Sequence, residues 1–341
     1  MWQDFFRNSS SRQQLWNCYR SREAEVSFMI QKYITESGII HALDDYTEGA
    51  WVQMVEPTFE ECEEVAHRFD IDIVDIRAAL DDEESARISI EDNYTLILAD
   101  IPTIERKQEH EIYSTMPLGM ILAKDTIITV CAEPTVVLDY FTNRFSRNFS
   151  TKKRMRFVYQ ILYRSCMCYQ GYLRIINRRR TEIEERISVD TKDSDLIELH
   201  DLESNLVYFA TSLRTNGVVL DRLTRYERIM QFPEDRELLE DVIIENRQAI
   251  EMTQIYRDII NGTRELMSTL INNRLNNVMK YLTSITIVMA IPTIISGLYG
   301  MNVNENGMPF ASMTGGFAII CALTLIICII TLLILRKSKM L

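Results

Sequence analysis

The chain has 341 residues, with 49 acids against 37 Lys and Arg, a net charge of −12 and an apolar fraction of 47%. That length allows two or more packing units, and the acidic balance excludes a general binder of phosphate backbones, which needs a basic face. Seven cysteines, an odd number in spacings that match no zinc framework, leave the bulk of the chain reading as reduced and cytosolic.

Residues 1–22 hold four arginines, several serines and a single acid, Asp4, without the apolar core of a secretory signal. They read as an N-terminal arm, with a mitochondrial transit peptide as the alternative. Residues 23–150 mix two periods. Trp51–Val55, Ile88–Ile101 and Met120–Val130 are rich in Ile, Leu, Val and Thr and read as strands, with a hairpin turn at Lys124-Asp125-Thr126. Glu60–Phe69 and Ile73–Leu80 read as helices. The expectation is an α/β (α+β) domain ending near residue 150.

Residues 151–232 hold two helical stretches, roughly 152–188 and 194–230, the second opening at a cap, Ser194 or Asp193. Cys166 and Cys168 stand at i, i+2 on the first and point to different faces, so no shared metal is expected. Arg178, Arg179 and Arg180 are followed at once by Glu182, Glu184 and Glu185, the pattern of a salt-bridged helix surface rather than a nucleic-acid or lipid patch.

Pro233 suits a first helical position. From Glu234 to Ile291 there is no further proline and one glycine, Gly262, while Leu238, Val242, Ala249, Met252, Ile255 and Ile259 recur at helical spacing. Residues 234–291 as one helix span about 87 Å at roughly 1.5 Å per residue, too long for one globular domain. Residues 233–280 therefore read as a stalk that runs straight into a membrane helix.

No charge occurs from Tyr281 to Tyr299 or from Gly315 to Leu335. Each run has about the 20 residues that carry a helix across roughly 30 Å of hydrocarbon with its backbone internally satisfied. The predicted segments are a first membrane helix at 281–302, an external loop at 303–314, a second membrane helix at 315–335 and a basic tail at 336–341. Arg274 and Lys280 flank the first helix, Arg336, Lys337 and Lys339 follow the second, and the loop has no Lys or Arg, so both termini are expected in the cytoplasm. Cys321 and Cys328 are expected to pack as small hydrophobes.

One face of the first membrane helix is small and weakly polar: Asn276, Met279, Leu282, Thr286, Ala290, Thr293 and Gly297 follow in steps of three or four. Lipid has no use for Asn or Thr, so this face is expected to line a cavity or meet a partner, with packing inside the hairpin as the alternative. Met279 and Leu282 would form an apolar constriction able to gate by dewetting. A single hairpin encloses no pore, so conduction requires an oligomer with the first helices inside.

The first membrane helix ends in Tyr299-Gly300-Met301-Asn302, followed by a short loop and a final helix with a basic tail. This signature, in this place, resembles the CorA family of divalent-cation channels. Asn276-Asn277-Val278-Met279-Lys280-Tyr281-Leu282-Thr283 resembles that family's lead-in to the first membrane helix, and Trp51, Pro57-Thr58 and Phe69–Leu80 resemble its N-terminal domain. The resemblance covers residues 45–341. It implies a funnel-shaped homopentamer in the cell membrane that passes hydrated Mg²⁺ inward, with Co²⁺ and Ni²⁺ as similar ions, through a selectivity filter at Tyr299, Gly300, Met301 and Asn302. A ring of Asn302 amide oxygens suits an ion that dehydrates reluctantly, Gly300 is expected to permit the turn that ends the helix, and Met301 to pack against the loop.

In the family, carboxylates between subunits bind Mg²⁺ and hold the channel shut. Asp241 matches the stalk member of that set. The N-terminal pair falls on Arg77 and Ala78 here, with Asp81 and Asp82 as substitutes in the next turn, and Glu265 matches an acid near the inner mouth. Divalent cations, lipid and copies of the chain are the expected partners, with no nucleic acid. Two other readings stay open: a zinc transporter on the same scaffold, against which Met301 speaks, and a membrane-anchored scaffold or sensor with no conduction. An enzyme is not expected, because the sequence holds no P-loop and its four histidines form no ligand spacing.

Overall fold

The computed structural model describes residues 30–36, 38–107, 110–142, 149–189, 192–225, 233–301, 308–310, 313 and 315–338. The predicted arm at 1–22, Asn302 of the signature and Lys339 of the tail lie outside the described residues. The chain divides into two compact units, Met1–Glu182 with Ile197–Ile259 and Ile183–Leu196 with Ile260–Leu341.

The first unit is built on a seven-stranded mixed sheet, ordered β2-β1-β3-β7-β6-β5-β4. Its strands are β1 (Ile30–Glu36), β2 (Ile39–Leu43), β3 (Trp51–Val55), β4 (Arg87–Ile90), β5 (Tyr94–Lys107), β6 (His110–Ala123) and β7 (Thr126–Cys131). Only the central β3–β7 pair is parallel, and its strands are buried on both faces, which explains their nearly unbroken apolar runs. Alternate residues face opposite ways. Trp51, Ile97, Leu118 and Ile127 enter one core, where Trp51 Nε1 donates to Thr129 Oγ1 at 2.9 Å. Val52, Leu98, Ile121 and Ile128 enter the other.

The second core is covered by α1 (Phe59–Phe69), α2 (Ile73–Arg77) and a short 3₁₀ turn, Ala78–Leu80. A reciprocal cap fixes the start of α1: Thr58 Oγ1 accepts the Glu61 N–H at 3.3 Å, and Glu61 Oε2 accepts the Thr58 N–H at 2.8 Å. The first core lies under α3 (Val136–Thr142), α4 (Arg154–Val189), α5 (Asp193–Arg225) and the start of α6 (Pro233–Tyr299), through residues such as Phe157, Val158, Leu220 and Val242. Helix α5 also covers a sheet edge. β4 stops pairing at Leu98, and two residues on the Asn216 side chain takes the place of a strand, accepting the Asp100 N–H at 2.9 Å and donating to its carbonyl at 2.7 Å.

Several expectations are corrected in detail. Ile88–Ile101 is two antiparallel strands, because the chain turns at residues 91–93, where the Glu91 N–H donates to Tyr94 O at 3.0 Å. Ile73–Leu80 is a five-residue helix followed by the 3₁₀ turn. The side chain that reaches back at the start of α5 is Asp195, which accepts the Lys192 N–H at 3.2 Å and the Arg186 Nε–H at 3.1 Å. Of the arginine triplet, Arg178 pairs with Glu182 at 3.1 Å as its spacing suggests, whereas Arg179 reaches Glu111 on β6 at 2.8 Å.

Helix α6 is continuous over 67 residues and runs through both units. In the second unit its last turns form an apolar pair with α7 (Gly316–Lys337). Both helices are long and apolar enough to cross a bilayer.

Candidate functional site

All seven residues of the weakly polar stripe, Asn276 through Gly297, are exposed in the single chain. The residues of α6 that are buried or half-buried from Asn276 to the helix end are Ser284, Val288, Ile291, Ile295 and Tyr299. At roughly 100° per residue the two sets lie about 180° apart on the helix. The second set faces α7: Cys328 Sγ lies 3.8 Å from the Val288 carbonyl, and α7 buries a matching row at Gly316, Ile320, Thr324, Ile327, Thr331 and Leu335. Packing inside the hairpin therefore does not account for the polar stripe, which points away from it.

The two stripe threonines are oriented by their own helix. Thr286 Oγ1 donates to the Leu282 carbonyl at 2.8 Å and Thr293 Oγ1 to the Met289 carbonyl at 2.9 Å. With its hydrogen committed, each hydroxyl presents acceptor lone pairs to whatever lies beyond the stripe.

Helix α6 ends at Tyr299, three residues before its predicted end, and a turn follows in which the Gly300 N–H donates to Ser296 O at 2.9 Å and the Met301 N–H to Leu298 O at 3.4 Å. Gly300, expected to permit the turn that ends the helix, stands in that turn without a left-handed conformation. That conformation falls on Phe310 (φ 68°) and Gly315 (φ 96°), on the far side of the loop. Met301 is 56% exposed rather than packed. What ties the two ends of the loop together is a contact the sequence did not announce: the Tyr299 hydroxyl donates to the Pro309 carbonyl at 2.8 Å. Gly316 has no room for a side chain, because a Cβ there would overlap the Phe310 carbonyl.

The acids proposed for regulation stand on exposed surfaces. Asp241 is on α6, and burial, then the Glu245 charge, then that of Asp241 raise the Tyr163 hydroxyl above its ordinary value. Asp81 and Asp82 follow the 3₁₀ turn, where Asp81 Oδ1 accepts the Glu83 N–H at 3.0 Å. Glu265 is exposed on α6 in the second unit. Among the described residues, no three His, Cys, Asp or Glu side chains gather as a metal site within one chain. The C-x-C pair is inert. Both thiols are buried and pushed up by that burial, Cys166 further by the Glu245 charge. Arg336 and Lys337 are exposed at the end of α7.

The sequence profile of the family described as "CorA-like Mg2+ transporter protein" matches residues 47–337. A cobalt/magnesium transport protein CorA from Methanocaldococcus jannaschii is 28% identical over 296 residues, 84% of this chain and 90% of that one. The protein of the same description from Thermotoga maritima is 25% identical over 256 residues, 74% of this chain and 72% of that one. Among solved structures, the complete CorA magnesium transporter of M. jannaschii matches with a TM-score of 0.79 at 24% identity, covering 92% of this chain and 99% of that chain. The full-length CmaX protein matches with a TM-score of 0.67 at 16% identity, covering 92% and 99%. These two structural likenesses show the fold: an N-terminal α/β domain, a long helix and a terminal pair of apolar helices.

Proposed function

We propose, from the premise that this chain belongs to the family of CorA-like Mg²⁺ transporter proteins, that it is a homopentameric channel of the cell membrane through which hydrated Mg²⁺ enters passively. The observation that carries this reading is the stripe from Asn276 to Gly297, uncharged, weakly polar and turned away from the only helix that packs beside it among the described residues. In a bilayer such a face needs water or another copy of the chain. Around a fivefold axis it has both.

The chemistry matches the cargo. Mg²⁺ holds its first-shell waters tightly, and those waters turn their hydrogens outward. Such a surface is recognised by acceptors. The Thr286 and Thr293 hydroxyls offer lone pairs because their hydrogens are already bound. Asn302 amide oxygens would do the same at the outer entrance, with the loop behind them held by Tyr299. Met279 and Leu282, 52% and 58% exposed in the single chain, supply an apolar ring at the inner end of the stripe. The basic flanks of the two apolar helices support cytoplasmic termini. Closure by internal Mg²⁺ requires acids from two copies, Asp241 of one facing Asp81 and Asp82 of the next, because one chain gathers no such cluster among the described residues.

The test is ion flux into liposomes that hold the full chain, read by dyes for Mg²⁺ and for Zn²⁺. Mg²⁺ is expected to enter. Asn302→Ala is expected to abolish influx while chemical cross-linking still gives five steps, and Asp241→Asn to raise the internal Mg²⁺ needed to halve it. Zn²⁺ influx without Mg²⁺ influx would make the chain a zinc transporter, and neither ion moving would leave a membrane anchor.

A further inference from the structure

Pro292 lies inside α6, within the first apolar run. A proline at this place has no N–H to give the carbonyl four residues back, and its ring crowds that same carbonyl. The carbonyl concerned is that of Val288. In hydrocarbon an unmet carbonyl is costly, so it needs another donor. The next carbonyl, that of Met289, receives a side chain of the same helix, and that of Val288 receives one from the facing helix. Thr293 Oγ1 donates to Met289 O at 2.9 Å from the same helix. Cys328 Sγ lies 3.8 Å from Val288 O and donates to it from α7. Of the two cysteines on α7, Cys321 is exposed and free, and Cys328 is half-buried against α6.

We infer that Cys328 is a positioning residue for the ion path: its thiol replaces the N–H that Pro292 lacks, and so holds α6 to α7 where the continuous helix lining the stripe is short of one backbone hydrogen bond. Proline is where a helix bends most readily. Ala290 and Thr293 of the stripe flank that point, so any bending of α6 there shifts where they stand. A thiol from the outer helix on the Val288 carbonyl couples such bending to the outer helix. This assignment rests on the transport reading, since it concerns the path that reading proposes.

A double-mutant cycle on the full chain in liposomes tests it. Thiol donors form weak hydrogen bonds, so Cys328→Ala is expected to lower Mg²⁺ influx about two- to fivefold at unchanged assembly, by letting the pore helix spread over more conformers. Cys328→Ser, which keeps a donor, returns most of that loss. In the Pro292→Ala background the backbone N–H is restored, and Cys328→Ala then has no effect. The S–H stretching band, taken as the infrared difference between wild type and Cys328→Ala, lies at the hydrogen-bonded position and moves to the free position in Pro292→Ala. A free band in the wild type would overturn the inference, as would a Cys328→Ala effect that is absent or equal in both backgrounds. A wild type that carries no ion contradicts the transport reading itself, whereas normal wild-type flux with an indifferent Cys328 contradicts this assignment alone.

Discussion

The two units handle apolar and polar groups in opposite ways. In the sheet unit, large side chains such as Trp51, Tyr169 and Phe157 are fully enclosed, and Asn216 comes inside to meet the backbone of Asp100. In the hairpin, large apolar side chains such as Ile294, Leu298, Leu325 and Leu333 stand exposed along both helices, and the polar side chains of the stripe stand exposed beside them. A unit that encloses its large side chains needs no further environment for them. A unit that leaves both kinds of side chain open needs two further environments, lipid for the apolar sides and water or other copies for the stripe.

The contrast is broken most forcefully from the buried side. Trp51→Ala removes a side chain that packs against Phe157, with ring centroids 5.0 Å apart, and gives up the bond to Thr129. It is expected to cost about 3–5 kcal/mol in the unfolding of the sheet unit, followed by circular dichroism of the full chain in detergent. The same measurement sees little change for a stripe residue such as Ala290, which is exposed in its own chain. A smaller effect sharpens the picture of buried polarity. Burial lifts the Asp100 carboxyl above the ordinary carboxylate range, with the Ser212 and Thr215 hydroxyls opposing it. A raised value means that the folded chain holds this proton more tightly than the unfolded one. The contribution is therefore fully present below the unfolded value of about 3.9 and is lost as pH rises through the folded value. Asp100→Asn removes that slope, so its melting temperature should gain on the wild type as pH rises above the unfolded value of about 3.9. An unchanged difference across that range would mean that Asp100 titrates as an exposed acid.

The sequence made the hairpin and the central strands plain, because charge-free runs and doubly buried strands are strong signals. The edges were harder. β1 and β2 carry Lys32, Glu36 and His41 among their apolar residues and were not marked as strands, and Pro102 and Pro117 interrupt the pattern of β5 and β6 although both belong to the long hairpin. α3, seven residues long, was too short to show a period. At the candidate site, helical spacing sufficed to pick out the stripe, since it is a property of one helix. The contacts that hold it, Tyr299 to Pro309 and Cys328 to Val288, join residues 10 and 40 apart and depend on how the chain turns back. Cys328 was expected only to fill space. A proline in the facing helix was the signal that its thiol had a carbonyl to serve. The acids proposed for regulation stayed obscure for a different reason: the proposed site takes ligands from two copies, and neither the sequence nor a single chain displays such a pairing.

The most direct test of the water-facing stripe is labelling by a membrane-impermeant thiol reagent in liposomes, on a background in which Cys321 is Ala and Cys328 is Ser. Thr286→Cys, Ala290→Cys and Thr293→Cys are expected to react and to be slowed by Mg²⁺, while Ser284→Cys and Ile295→Cys on the α7 side stay unreactive. Equal labelling of both sides, or no labelling of the stripe at all, would contradict an aqueous path along α6.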